Sequence, residues 1–133
     1  MMDWKNREVW AIWTLALFWL LLYVASMLYH TGGRLSLPLD DSFIYFQYAK
    51  QAAAGHFLEY NTWDAPTAGA TSLLYLALLV PAFWLGLDGM GIAVYALILG
   101  WALLGLSAQV LLRLGERLGG GYFSGRLAAL LFL

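Results

Sequence analysis

Residues 9–29 contain no charged side chain. At 1.5 Å of rise per residue, a helix over this run reaches about 30 Å, the thickness of a bilayer's hydrocarbon core. This run constrains the chain more than any other feature, and it predicts a transmembrane helix. Trp10, Trp13, Trp19, Tyr23 and Tyr29 supply the aromatic rings that favour membrane–water boundaries. Composition agrees: 62% of the residues are hydrophobic and 11% charged, against about 25% charged in soluble domains. Lys5 and Arg7 precede the run and would hold the N-terminus in the cytoplasm. A cleaved signal peptide is the alternative, with Val24-Ala25-Ser26 as a weak cleavage site. The apolar run exceeds the usual signal length of about 7–15 residues, which favours an uncleaved anchor.

Charge and side-chain chemistry exclude several functions. The formal net charge is -1, and no basic patch is present to hold phosphates, so nucleic acid is not an expected partner. There is no cysteine, hence no disulfide, no thiolate nucleophile and no thiolate zinc site. His30 and His56 lie too far apart for a local metal motif and read as interfacial polar residues.

The rest of the chain alternates polar and apolar. Residues 30–70 form a polar segment, and residues 30–88 are expected outside the membrane, with a turn at Thr31-Gly32-Gly33-Arg34 and a helix over about 41–54 closed by Gly55. Residues 71–87 are apolar but short for a span and contain Pro81. Residues 90–112 make a cleaner second span, with Ser107 and Gln109 as its polar interior residues. Arg113, Arg117 and Arg126 follow. One crossing at 90–112 places them in the cytoplasm with Lys5 and Arg7, as the positive-inside rule favours. Residues 71–87 are then a helix in the outer interface, 113–121 a cytoplasmic turn, and 122–133 the start of a third span. The Gly119-Gly120-Gly121 cluster lacks the Lys-Ser/Thr pair of a phosphate loop and marks a bend. The sequence stops within an apolar run, and we expect the chain to be the N-terminal piece of a longer membrane protein. The expected fold class is all-α, integral membrane, as a single fragment.

Two adjacent carboxylates, Asp40 and Asp41, stand just after Leu37-Pro38-Leu39. An acidic pair at a membrane surface is a candidate for chemistry. The same residues suit a helix start, one as N-cap and the other favoured by the helix dipole. The two roles are compatible, since a cap holds its side chain still.

The stretch Asp40-Asp41-Ser42-Phe43-Ile44-Tyr45-Phe46-Gln47-Tyr48-Ala49, the later Gly55-His56, and then Gly69-Ala70-Thr71-Ser72-Leu73-Leu74-Tyr75 resemble the N-terminal part of the glycosyltransferase C superfamily. These polytopic membrane enzymes use lipid-phosphate-linked sugars and include relatives of protein mannosyltransferases, aminoarabinose transferases and arabinosyltransferases. Many members run Asp-Asp-Ala-Tyr-Ile-Tyr-x-Arg-Tyr-Ala, then Gly-His-Gly, then Gly-x-Thr-Ser-Pro-Leu-Trp. Gln47 stands where Arg is frequent and Leu73 where Pro is frequent.

The resemblance implies two juxtamembrane helices in the first external loop and transfer of a sugar from a polyprenyl-phosphate donor to a hydroxyl, with inversion. It makes Asp40 the first choice for the base. Asp41 would assist by hydrogen bonding, or hold a divalent cation such as Mg or Mn; a reaction without metal is equally compatible. Tyr45, Gln47, His56, Glu59, Thr71 and Ser72 become the substrate-binding candidates. Glu59, like Asp64, also reads as a solvated loop acid. The expected partners are membrane lipids, the lipid-linked donor and the remaining helices of a full-length enzyme in the cytoplasmic membrane. The fragment alone is expected to be inactive. The rival readings are a small non-catalytic assembly module, which would keep the acidic pair only as a cap, and a transporter fragment.

Overall fold

The computed structural model describes residues 4–35 and 41–133, with the side chains of 7–35, 41–118 and 123–133. About 75% of the chain is helical, and no strand occurs among the described residues. The elements are α1 (Trp4–His30), α2 (Asp41–Ala53), α3 (Leu73–Trp84), α4 (Met90–Gly115), a π-helical turn over Glu116–Gly120, and α5 (Gly121–Phe132). Two compact units result, one of residues 34–96 and one of residues 1–33 with 97–133.

In the second of these units, α1 meets α4 around Ile12 and Trp13. Ile12 packs with Ala108 and Leu112, and the Trp13 ring meets Trp101 edge-on at 5.1 Å. Gly105 lies directly beneath the Trp13 ring, which occupies the space a side chain there would need. Beyond the π-helical turn, α5 doubles back on α4. Ala129 joins the Ile12, Ala108 and Leu112 cluster, and a Cβ on Gly115 would collide with the backbone of Gly125. Small residues are what let two helix backbones approach this closely. The bend expected over 113–121 is therefore helical throughout: α4 continues to Gly115 and the reversal is made by the π-helical turn. Arg126 pairs with Glu8, joining α5 to the start of α1.

Two helices are long and apolar enough to cross a membrane, over residues 7–30 and 90–118. Large apolar side chains along them are exposed, including Trp10, Phe18, Leu21, Ile98 and Val110. At 12 residues, α3 reaches about 18 Å, well short of a span.

The unit of residues 34–96 is built on α2 and α3. Ile44, Tyr45, Tyr48 and Ala52 fall at helical spacing on one side of α2 and pack with Ala70, Leu76 and Val80. Gly55 and Gly86 close α2 and α3 in the same way. Each takes a positive φ, 94° and 76°, and the following N–H reaches back a full turn: His56 N to Gln51 O, Leu87 N to Ala82 O. A Cβ disfavours this left-handed geometry, so glycine is used. Ser72 caps α3, its hydroxyl accepting from Tyr75 N. Tyr95 Oη donates to Leu78 O at 2.9 Å, holding the first turns of α4 against α3.

Candidate functional site

The two halves of the sequence motif meet at one hydroxyl. Tyr45, one helical turn after Asp41, projects from α2 to the entrance of α3. Its hydroxyl accepts from Ser72 N at 2.8 Å and shares a hydrogen bond of 2.9 Å with Thr71 Oγ1. Its ring meets Tyr75 edge-on. Burial pushes the Tyr75 hydroxyl above its ordinary 10.0, and the neighbouring Tyr45 adds to the shift. Asp41, the first residue of α2, is exposed. Asp40 lies outside the described residues. Of the expected substrate contacts, Tyr45, Thr71 and Ser72 thus form one group with Asp41 on the adjoining turn.

Gln47 lies outside this group and makes a bond of its own. Its Nε2 donates to Tyr60 O at 2.8 Å and fastens the loop after α2 to the helix. Tyr48, which sequence reasoning left unassigned, is 3% exposed. Its hydroxyl bonds Thr67 Oγ1, and its ring occupies the space over Gly69. This explains a glycine two residues before Thr71: the chain must pass flush against the ring on its way into α3. The signal was a glycine just before a small-hydroxyl pair, with no sign in the sequence of what lay above it.

His56 and Glu59 form a second group in the same loop. His56 Nδ1 lies 3.1 Å from Glu59 Oε2, and the same oxygen accepts from Trp63 N at 3.3 Å. Asp64 Oδ2 accepts from both Asn61 N and Asn61 Nδ2, tightening the turn before Trp63. Two non-glycine residues here have left-handed backbones, Leu58 with φ 63° and Trp63 with φ 79°. Trp63 is 91% exposed. Sequence reasoning passed over it; a Trp set among Asn, Thr and Asp was the available sign.

Among the described residues, no three His, Cys, Asp or Glu side chains converge into a metal-holding cluster. A cavity of about 550 Å³ occurs in the other unit, lined by Ile12, Leu15, Leu112, Ala129 and Leu133 with Arg7 at its margin; it includes none of the sequence candidates.

No protein-family model, curated protein or solved structure matches the chain. The functional reading therefore rests on residues and geometry.

Proposed function

We propose that the chain is the acceptor-activating part of a membrane glycosyltransferase that moves a sugar from a polyprenyl-phosphate donor to a hydroxyl on the outer face of the cytoplasmic membrane. The observation that supports the reading is the Tyr45 link, which ties the helix beginning at Asp41 to the Gly-x-Thr-Ser stretch across 26 residues.

In the proposed reaction, the acceptor oxygen attacks the anomeric carbon, the bond from that carbon to phosphate oxygen breaks, and configuration inverts. The phosphate leaves well without help. The acceptor proton needs a base, and an aspartate at position 40 or 41 takes it, an effect of about 10²–10⁴-fold.

The apolar surfaces of α1 and α4 support membrane placement, since exposed Trp, Phe and Leu in such numbers are at home in lipid. The outer face of α3 supports placement in the interface: Leu74, Pro81, Trp84 and Leu85 are all exposed, and no charge interrupts the helix.

The test uses Asp40→Asn and Asp41→Asn in the protein expressed from its own gene. Asn caps a helix nearly as well as Asp but cannot accept the proton. Lost transfer from a polyprenyl-phosphate sugar, at unchanged membrane levels of the protein, is the expected result; full transfer by both variants and by the double variant would sink the reading. A non-catalytic module is the second reading, favoured by the hydrogen bonds that commit Gln47, Thr71 and Ser72 to holding the fold.

A further inference from the structure

The loop between α2 and α3 holds a feature that the aspartate chemistry does not use. Trp63 has a backbone that bulky residues rarely adopt, yet its indole covers almost nothing of the protein. A left-handed Trp is strained, and strain of this kind persists where surrounding bonds over-determine it and is concentrated at ligand clamps and active sites. Here the bonds are identifiable: Trp63 N donates to Glu59, and the Asn61–Asp64 turn fixes the approach. Protein bonding therefore fixes the backbone of a residue whose side chain is presented outward.

His56 stands beside it, ring centroids 6.4 Å apart. His56 Nδ1 faces the Glu59 carboxylate at 3.1 Å, which leaves Nε2, a donor or an acceptor according to the tautomer, for a ligand. Among the described residues, no protein group bonds Nε2. A flat apolar surface with an imidazole nitrogen beside it matches a pyranose ring, whose C–H face can lie on indole while a rim hydroxyl hydrogen-bonds the nitrogen. A bilayer is the competing partner for an exposed Trp. The nearest neighbours argue against it: Asn61, Thr62 and Asp64 adjoin Trp63 and Glu59 accepts from its N–H, with Phe57 and Tyr60 exposed further back in the loop, and drawing two carboxylates into lipid is costly. The outer face of α3 has no such neighbours.

We propose that Trp63, with the neighbouring His56, is a saccharide platform that holds a sugar ring of the substrate. The ligand class rests on the glycosyltransferase reading, and the platform deepens that reading by naming a subsite. Saccharide rings stack on the indole, and His56 Nε2 hydrogen-bonds one ring hydroxyl.

The experiment is direct binding to the full chain in lipid nanodiscs, with methyl hexopyranosides as probes. Saturation-transfer NMR from aromatic protons to the sugar, and the shift of the Trp63 indole N–H resonance, are the readouts. Binding that moves the Trp63 resonance is expected. Trp63→Ala should weaken it by about tenfold or more, as removal of a stacking surface usually does, while Trp63→Phe retains part of it and His56→Phe weakens it without moving Tm. Absence of saturation transfer with every probe would overturn the platform, as would affinity unchanged by Trp63→Ala. Broadening of the Trp63 resonance by spin-labelled lipid would do the same and assign the ring to the bilayer. No transfer reaction enters this measurement. Lost binding alongside transfer that still depends on Asp40 or Asp41 sinks the platform alone; binding without such dependence sinks the proposed base alone.

Discussion

Gly69 shows how much a single missing side chain can decide. The Tyr48 ring already fills the position a methyl group would take, and Tyr48 is too buried to move aside. Gly69→Ala should therefore destabilise the protein by about 1–3 kcal/mol, read as a lower unfolding midpoint in detergent; an unchanged midpoint would show that the ring yields. Trp63→Gly should act in the opposite sense. Relief of the left-handed backbone is expected to raise stability by about 1 kcal/mol while removing the platform. Asp88 offers a test by pH. The hydrogen bond from Lys50, then that from Gly89 N–H and the Lys50 charge, hold its carboxyl below the ordinary 3.8. A depressed carboxylate contributes stability above the unfolded value and loses it as pH falls through the folded one. The Lys50–Asp88 bridge should thus persist at pH 4 and open only in stronger acid, with an NMR titration midpoint for Asp88 below 3.8.

At the scale of elements, the helices were legible because their signals are local. The charge-free run at 9–29 lies within α1, and the helix expected over 41–54 is α2, ending one residue earlier at Ala53. Gly55 marked the end because a left-handed cap needs only its own few residues. The loop between α2 and α3 was not legible. Gln47 was marked as a substrate contact, since nothing local reveals that its amide reaches Tyr60 O. The left-handed backbones at Leu58 and Trp63 leave no trace in residue type. The glycine cluster at 119–121 was read as a bend, but the contact between Gly115 and Gly125 depends on α5 folding back, which no local pattern encodes. That contact has a consequence for stability. A side chain at Gly125 would meet the Leu112 carbonyl, so Gly125→Leu should push α5 off α4 and cost about 1–3 kcal/mol or more, measured by unfolding in detergent.

The proposed orientation can be tested on the whole molecule because the chain has no cysteine of its own. Single cysteines at Thr62 and at Leu118, both exposed, report on the two sides. With the N-terminus cytoplasmic and residues 30–88 outside, a membrane-impermeant maleimide should label Thr62→Cys in intact cells and Leu118→Cys only after permeabilisation. The reverse pattern would place the acidic pair in the cytosol and remove the lipid-linked donor from reach. The two helices apolar enough to span a membrane were legible in composition; the proposed sidedness rests on the arginines at 113, 117 and 126, which a single crossing would put on the same side as Lys5 and Arg7.

The loop after α2 is tied to that helix in three places, through Gln47, Tyr48 and Gln51, which receives a hydrogen bond from Thr62. Asp41 begins the same helix. One stiff rod therefore has a handle along its flank and a carboxylate at its tip. A displacement of the loop is therefore expected to be felt along the helix that starts at Asp41, without any direct contact between the two.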